Sequence, residues 1–286
     1  MGGQYLNYGR GMDADIVNST NASTFTPEQI RNQFFQVNLF AFRLDFEHRF
    51  TDQLKAELGF NAAYTASPTT QDITDLTQEP AIFTDSQYTL DEYIGAIYGQ
   101  LSGTLHQLNW TIGLRSEKAD IEGGLIGEDD LRIDRNQLFL FPNLSLNQPI
   151  DSSSNLTFNY RRSIQRPNFS NLSQVAFYVN PFTIIQENTG LLASLQDDYA
   201  LVYQWQQSSL RLSYVNNRNP NFFSTFYDET QALYVLSRRN FDRATTLALS
   251  LTLPFNRKAW SSLNGISLFS SNISDAEEIT QQVSPY

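Results

Sequence analysis

Phe40-Ala41-Phe42-Arg43-Leu44-Asp45-Phe46-Glu47-His48-Arg49-Phe50 alternates in character at every second position. After Thr51-Asp52-Gln53 the alternation resumes, with Leu54, Ala56, Leu58, Phe60, Ala62 and Tyr64 against Lys55, Glu57, Gly59, Asn61 and Thr65. Side chains that alternate with period two belong to strands, so the stretch reads as a β-hairpin with one greasy and one charged face. Each strand runs to roughly ten residues or more, about twice the length common in soluble sandwiches. That is the length a tilted strand needs to cross the hydrocarbon layer of a bilayer. The period matches a membrane barrel with lipid outside and a polar lumen inside. A soluble β protein with long strands also alternates, so the rest of the chain has to decide.

Working outward, the same rhythm recurs. Strands are predicted over 33–50, 54–65, 88–105, 108–117, 136–146, from 155, over 198–206 and 209–215, over 245–253, and from 260. Residues 1–32 show no periodicity and read as a loop, as does the tail 274–286. The connections alternate between short and long. Tight turns are expected at 51–53, 106–107, 148–152, 207–208 and 254–258, and long polar excursions between them. Transmembrane barrels connect strands this way, with short periplasmic turns and long extracellular loops, whereas a Greek-key sandwich has no reason to. Trp110, Trp205 and Trp260 fall beside short turns, and Tyr64, Tyr160, Tyr199 and Tyr214 toward the long-loop ends. Two aromatic girdles at the two lipid–water interfaces account for that sorting.

Composition narrows the class further. The 286 residues are 41% hydrophobic with a mean hydropathy of -0.37, and no apolar run approaches a spanning helix, so a helical membrane protein is excluded. A transmembrane barrel hides behind such values because half of every strand is polar. The chain has no cysteine, which removes disulfides, thiolate catalysis and cysteine-based metal sites. A formal charge of -11 argues against a nucleic-acid binder. The start Met1-Gly2-Gly3-Gln4-Tyr5 has neither a basic nor an apolar signal region, so an exported chain is expected to be a segment of a longer precursor.

One stretch carries a family likeness. Phe158-Asn159-Tyr160-Arg161-Arg162-Ser163-Ile164-Gln165-Arg166-Pro167, followed by Asn180-Pro181-Phe182 and Glu187-Asn188, resembles the barrel domain of TonB-dependent outer-membrane receptors of the Bacteroidetes type. Gly113-Leu114-Arg115 with Glu117, and Phe141-Pro142-Asn143-Leu144-Ser145-Leu146, look like earlier strands of the same family, so the likeness spans residues 88–273. The family's usual Gly-Asn-Pro and Lys-Pro-Glu continuation is replaced here by Thr189-Gly190-Leu191-Leu192-Ala193-Ser194. The resemblance implies an all-β, antiparallel up-and-down transmembrane barrel in a Gram-negative outer membrane. It implies TonB-energised uptake of a scarce nutrient such as an iron chelate, peptide or glycan, with a plug domain and the TonB complex as partners in the full-length protein. Family barrels of this kind have about 22 strands, against about ten traced here. Alone, such an open sheet would leave unpaired edges in lipid and is expected not to insert as a stable monomer.

The candidate site residues follow from the faces. Arg43, Asp45, Glu47, Arg49, Lys55, Glu57, Arg115 and Glu117 are placed on the lumen wall, where they pair across strands or, as the resemblance implies, meet the plug. Arg161, Arg162 and Arg166 lie near the outer end of the sixth strand, and guanidinium forks suit carboxylate or phosphate ligands, so they are candidates for an extracellular ligand loop. The acidic run Glu128-Asp129-Asp130 lacks the spacing of a calcium loop, and no metal or cofactor is expected. The only histidines, His48 and His106, sit beside short turns, away from any surface-facing active site, and no enzyme activity is expected. A passive porin or structural outer-membrane barrel is the alternative, and a soluble β adhesin or carbohydrate-binding module a further one.

Overall fold

The computed structural model describes residues 2–21, 24–76, 82–127, 132–172, 176–180, 182–186, 188–230, 232–275 and 281–283. Its elements are β1 (Gly2–Asn21), β2 (Thr24–Thr51), β3 (Leu54–Ala66), β4 (Thr69–Asp75), β5 (Ile82–Leu105), β6 (Leu108–Leu125), β7 (Ile133–Asp151) and β8 (Ser154–Gln165). After a single 3-10 turn, Phe169–Leu172, come β9 (Ala176–Asn180), β10 (Thr183–Gln186), β11 (Ser194–Trp205), β12 (Ser208–Arg218), β13 (Asn221–Asp228), β14 (Leu233–Asn240), β15 (Arg243–Arg257), β16 (Trp260–Ser274) and β17 (Gln281–Val283).

Thirteen of these strands form one sheet in the order β1-β2-β3-β5-β6-β7-β8-β11-β12-β15-β16-β17, with β4 filling the gap between β2 and β5 beyond the end of β3. Every neighbouring pair is antiparallel, as an up-and-down barrel wall requires. Five of the hairpins close through two-residue turns, at 52–53, 106–107, 152–153, 206–207 and 258–259. His106, Gln206 and Lys258 take positive φ there, the twist that matches a tight hairpin to its strands. Two expected turns therefore shrink. Pro149 and Pro254 lie inside β7 and β15, and the register shift between Pro149 and Asp151 absorbs the first.

The larger correction concerns residues 1–32. Residues 2–21 and 24–32 are strand, not loop: β1 pairs with β2 from Gly2 opposite Arg43 to Asn21 opposite Thr24. The tail likewise contributes β17 against β16 through Ser271–Ile273. A second, four-stranded sheet, β13-β14-β10-β9, joins two long connections, with β10 and β14 running parallel.

The two faces of the large sheet differ as the alternation demands. Phe46, Leu58, Ile97 and Leu138 are each more than half exposed on the apolar face, a continuous greasy surface that only lipid would cover. On the opposite face the buried residues Tyr88, Leu90 and Ile133 pack with Leu172 and Leu191, so the chain leaving β8 turns back against the lumen wall.

Candidate functional site

The lumen charges are organised by cross-strand register. Asp45, Gly59, Tyr98, Arg115 and Phe141 stand directly opposite one another on β2, β3, β5, β6 and β7. Because Gly59 has no side chain, the Tyr98 ring lies across it, and its hydroxyl donates to Asp45. Arg43 donates to the same carboxylate at 2.8 Å, and the Arg43 and Arg115 guanidiniums stand 5.8 and 5.9 Å from the centre of the Tyr98 ring. Glu47 and Glu57 face each other across β2 and β3, a repulsive pair that Lys55 offsets by binding both.

The row continues toward the long-loop end. Arg115 binds Glu117 at 2.6 Å, and Arg166 bridges Glu117 to Glu92, the latter at 3.2 Å. The Glu117 and Glu92 side chains are 6% and 9% exposed. Two arginines and two carboxylates thus form a closed, neutral set, which is how charge is tolerated in a shielded place. Arg166 is the member that does not belong to the wall, for it lies just beyond β8. Beyond it, Tyr88 donates to the carbonyl of Leu172 at 2.5 Å, and Arg135 donates to the carbonyls of Thr189 and Leu191. Residues 166–172 and 188–193 are therefore fastened to the lumen wall at three places, over a cavity of 450 Å³ lined by Phe35, Val37, Leu90, Glu92, Arg135 and Arg166 among others. The arrangement holds charge in place; it presents no nucleophile beside a base.

The structure therefore joins Arg43, Asp45, Arg115, Glu117 and Arg166 into one ladder, keeps Lys55, Glu47 and Glu57 as a separate triplet, and separates the other two arginines. Arg161 lies on the lumen face 3.7 Å from Asp198. Arg162 lies on the apolar face, where Asp197 accepts from it at 2.7 Å and from Tyr160 at 2.9 Å. The three arginines are not one loop cluster, because Arg161 and Arg162 are consecutive in a strand and point to opposite faces. Glu92, Tyr98 and Arg135 were missed from sequence, although the alternation around Tyr93 and Ile97 puts Glu92 and Tyr98 on the lumen face. Glu128, Asp129, Asp130, Pro181 and Glu187 lie outside the described residues.

A family model described as an outer membrane protein beta-barrel family matches residues 1–285. The chain belongs to that family. Among solved structures it resembles the copper transporter OprC, at 12% identity and a TM-score of 0.67 over 94% of this chain and 43% of that one. It also resembles the ferripyoverdine receptor of the outer membrane of Pseudomonas aeruginosa, bound to ferripyoverdine, at 11% identity and 0.60 over 99% and 39%. A third is the ferric yersiniabactin uptake receptor FyuA from Yersinia pestis, at 11% and 0.58 over 95% and 40%. No curated protein matches the chain. The chain spans about two fifths of the length of these structures. It is an outer-membrane β-barrel chain that shares the fold of TonB-dependent receptors, and its structural neighbours are receptors and transporters.

Proposed function

We propose that this chain forms part of the wall of an energised outer-membrane receptor that takes up a scarce nutrient, of the iron-chelate, peptide or glycan class, in concert with a plug domain and the TonB complex. The observation that supports this most is the charged ladder from Asp45 to Glu92, a wall prepared to hold polar matter in the lumen. Arg43, Asp45, Glu47, Lys55, Glu57, Arg115 and Glu117 are the plug-facing candidates in this reading, and Arg161 and Arg166 the ligand-side ones. The whole of 1–286 serves as part of a single barrel domain, and the barrel performs no chemistry.

A passive barrel is the second reading, favoured by the inward packing of residues 166–172 and 188–193, since a segment folded into the lumen also narrows a porin. The test uses the full-length protein in cells. Reversing Arg115 and Glu117 together should alter plug retention, read as entry of an antibiotic too large for porins, and uptake should stop when a protonophore collapses the inner-membrane gradient. Unchanged uptake with a closed channel in the reversed variant, together with uptake insensitive to the protonophore, overturns the receptor reading in favour of the porin.

A further inference from the structure

The apolar face carries a construction that occurs twice. Tyr64 and Tyr93 stack across β3 and β5 with ring centres 4.6 Å apart, and Tyr64 donates to Asp91 at 2.8 Å. Tyr160 and Tyr199 stack across β8 and β11 at 4.7 Å, and Tyr160 donates to Asp197 at 2.9 Å. Each aspartate lies two residues beyond its tyrosine, toward the long loops, which marks the level where lipid tails give way to headgroups.

What surrounds the two aspartates differs in sign. Around Asp91 the same face adds Asp120, Glu122 and Asp134, with Lys118 bound to Asp120 at 3.6 Å. Around Asp197 it adds only arginines. Arg162 binds Asp197 at 2.7 Å and Arg218 binds it at 3.3 Å, which with Tyr160 fills that carboxylate's capacity. Arg243 stands directly opposite Arg218 in the β12–β15 ladder, is exposed, and its side chain has no hydrogen bond or ion pair among the described residues. The Nε of Arg218 is buried without a partner. Like charges directly opposed on a sheet repel. Three guanidiniums against one carboxylate leave this sector short of anions on a surface that faces lipid.

We propose that Arg162, Arg218 and Arg243 form a docking site for the phosphate of an anionic glycolipid headgroup in the outer leaflet. The tyrosines below them take the acyl boundary, and Arg218 and Arg243 grip the phosphate between them, relieving their mutual repulsion. Guanidinium forks match phosphate oxygens geometrically, and charge-assisted bonds are the strong ones. The inference stands apart from the transport reading, since it needs only that the chain lies in the outer membrane.

The test purifies the protein from outer membranes in mild detergent and measures retained phosphorylated glycolipid by native mass spectrometry. In R218Q/R243Q the amount retained per protein should fall about tenfold, the equivalent of about 1.4 kcal/mol. R211Q, on the lumen face of the same strand, should retain the wild-type amount. Since the Arg243 side chain makes no ion pair among the described residues, R243Q alone gives a loss in the same direction should the double variant fail to fold. Wild-type retention in R243Q, or equal retention of a phosphate-free glycolipid, would each overturn the proposal.

Discussion

The lumen wall is built in two styles. From β2 to β8 it carries the ladder of Asp45, Arg43, Tyr98, Arg115, Glu117 and Glu92, and residues 166–172 and 188–193 lie against its upper end. Along β15 and β16 the same face carries no charge, with Ser250 bonded to Ser267 and Thr246 to Ser271, both at 2.9 Å. Antiparallel pairing is continuous through both. Backbone hydrogen bonds therefore suffice to build the wall, and the charges answer to something else: the matter held against them.

The largest effect expected from breaking this contrast is at Glu117, the carboxylate shared by Arg115 and Arg166. Glu117→Ala strands two guanidiniums and should cost about 3 kcal/mol in urea unfolding of the refolded protein, because removing one member of a shielded pair leaves the other uncompensated. Ser250→Ala, on the neutral wall, should cost less than about 1 kcal/mol in the same assay. Equal losses would erase the distinction between the walls.

Glycines offer a sharper version of the comparison. A Cβ on Gly59 would run into the Tyr98 ring, whereas one on Gly265 of β16 would meet only the Leu251 carbonyl oxygen at 3.8 Å. Gly59→Ala should destabilise by about 1–3 kcal/mol through overpacking. It should also free Asp45 from Tyr98. Gly265→Ala should be neutral or stabilise by up to about 1 kcal/mol, since alanine restricts the unfolded chain. Urea midpoints at constant slope check both.

The smallest effect lies outside the membrane, at the turn joining β7 to β8. The Ser154 hydroxyl and the Ser153 amide and hydroxyl donate to Asp151 and hold its carboxyl below the usual carboxylate range. A lowered carboxylate stabilises the fold above its ordinary pKa of about 4 and loses that contribution as pH falls through the lowered folded value. Asp151→Asn should therefore lower the unfolding midpoint slightly at pH 7, and the gap from wild type should close as pH drops below that range.

The alternating strands were legible because lipid on one side and water on the other impose a period of two on every residue between them. β1 was not. Its Gly2, Gly3, Gly9 and Gly11 interrupt any pattern, and it forms a strand because β2 offers it a partner for its whole length. The outer reaches of β2, β4 and β5 failed for a related reason: polar Thr69, Thr70, Gln71 and Asp72 follow no apolar alternation. At the site, Arg43, Asp45, Arg115 and Glu117 were legible from parity alone. The partners of Arg166 were not legible because it follows the last strand residue, Gln165, where alternation no longer says which way a side chain points. Its destination depends on Glu92, which lies 74 positions earlier in the chain.

The central claim is that the charged wall holds residues 166–172 and 188–193 against the lumen face. A protein without cysteine allows it to be tested at one introduced thiol. Leu191→Cys replaces a fully buried residue of the inward-packed segment. Its labelling rate by a membrane-impermeant maleimide should be slow in the otherwise unaltered protein and should rise at least about tenfold when Glu92→Gln and Glu117→Gln are added, the equivalent of about 1.4 kcal/mol lost from the closed arrangement. Equal rates in the two backgrounds would contradict the claim.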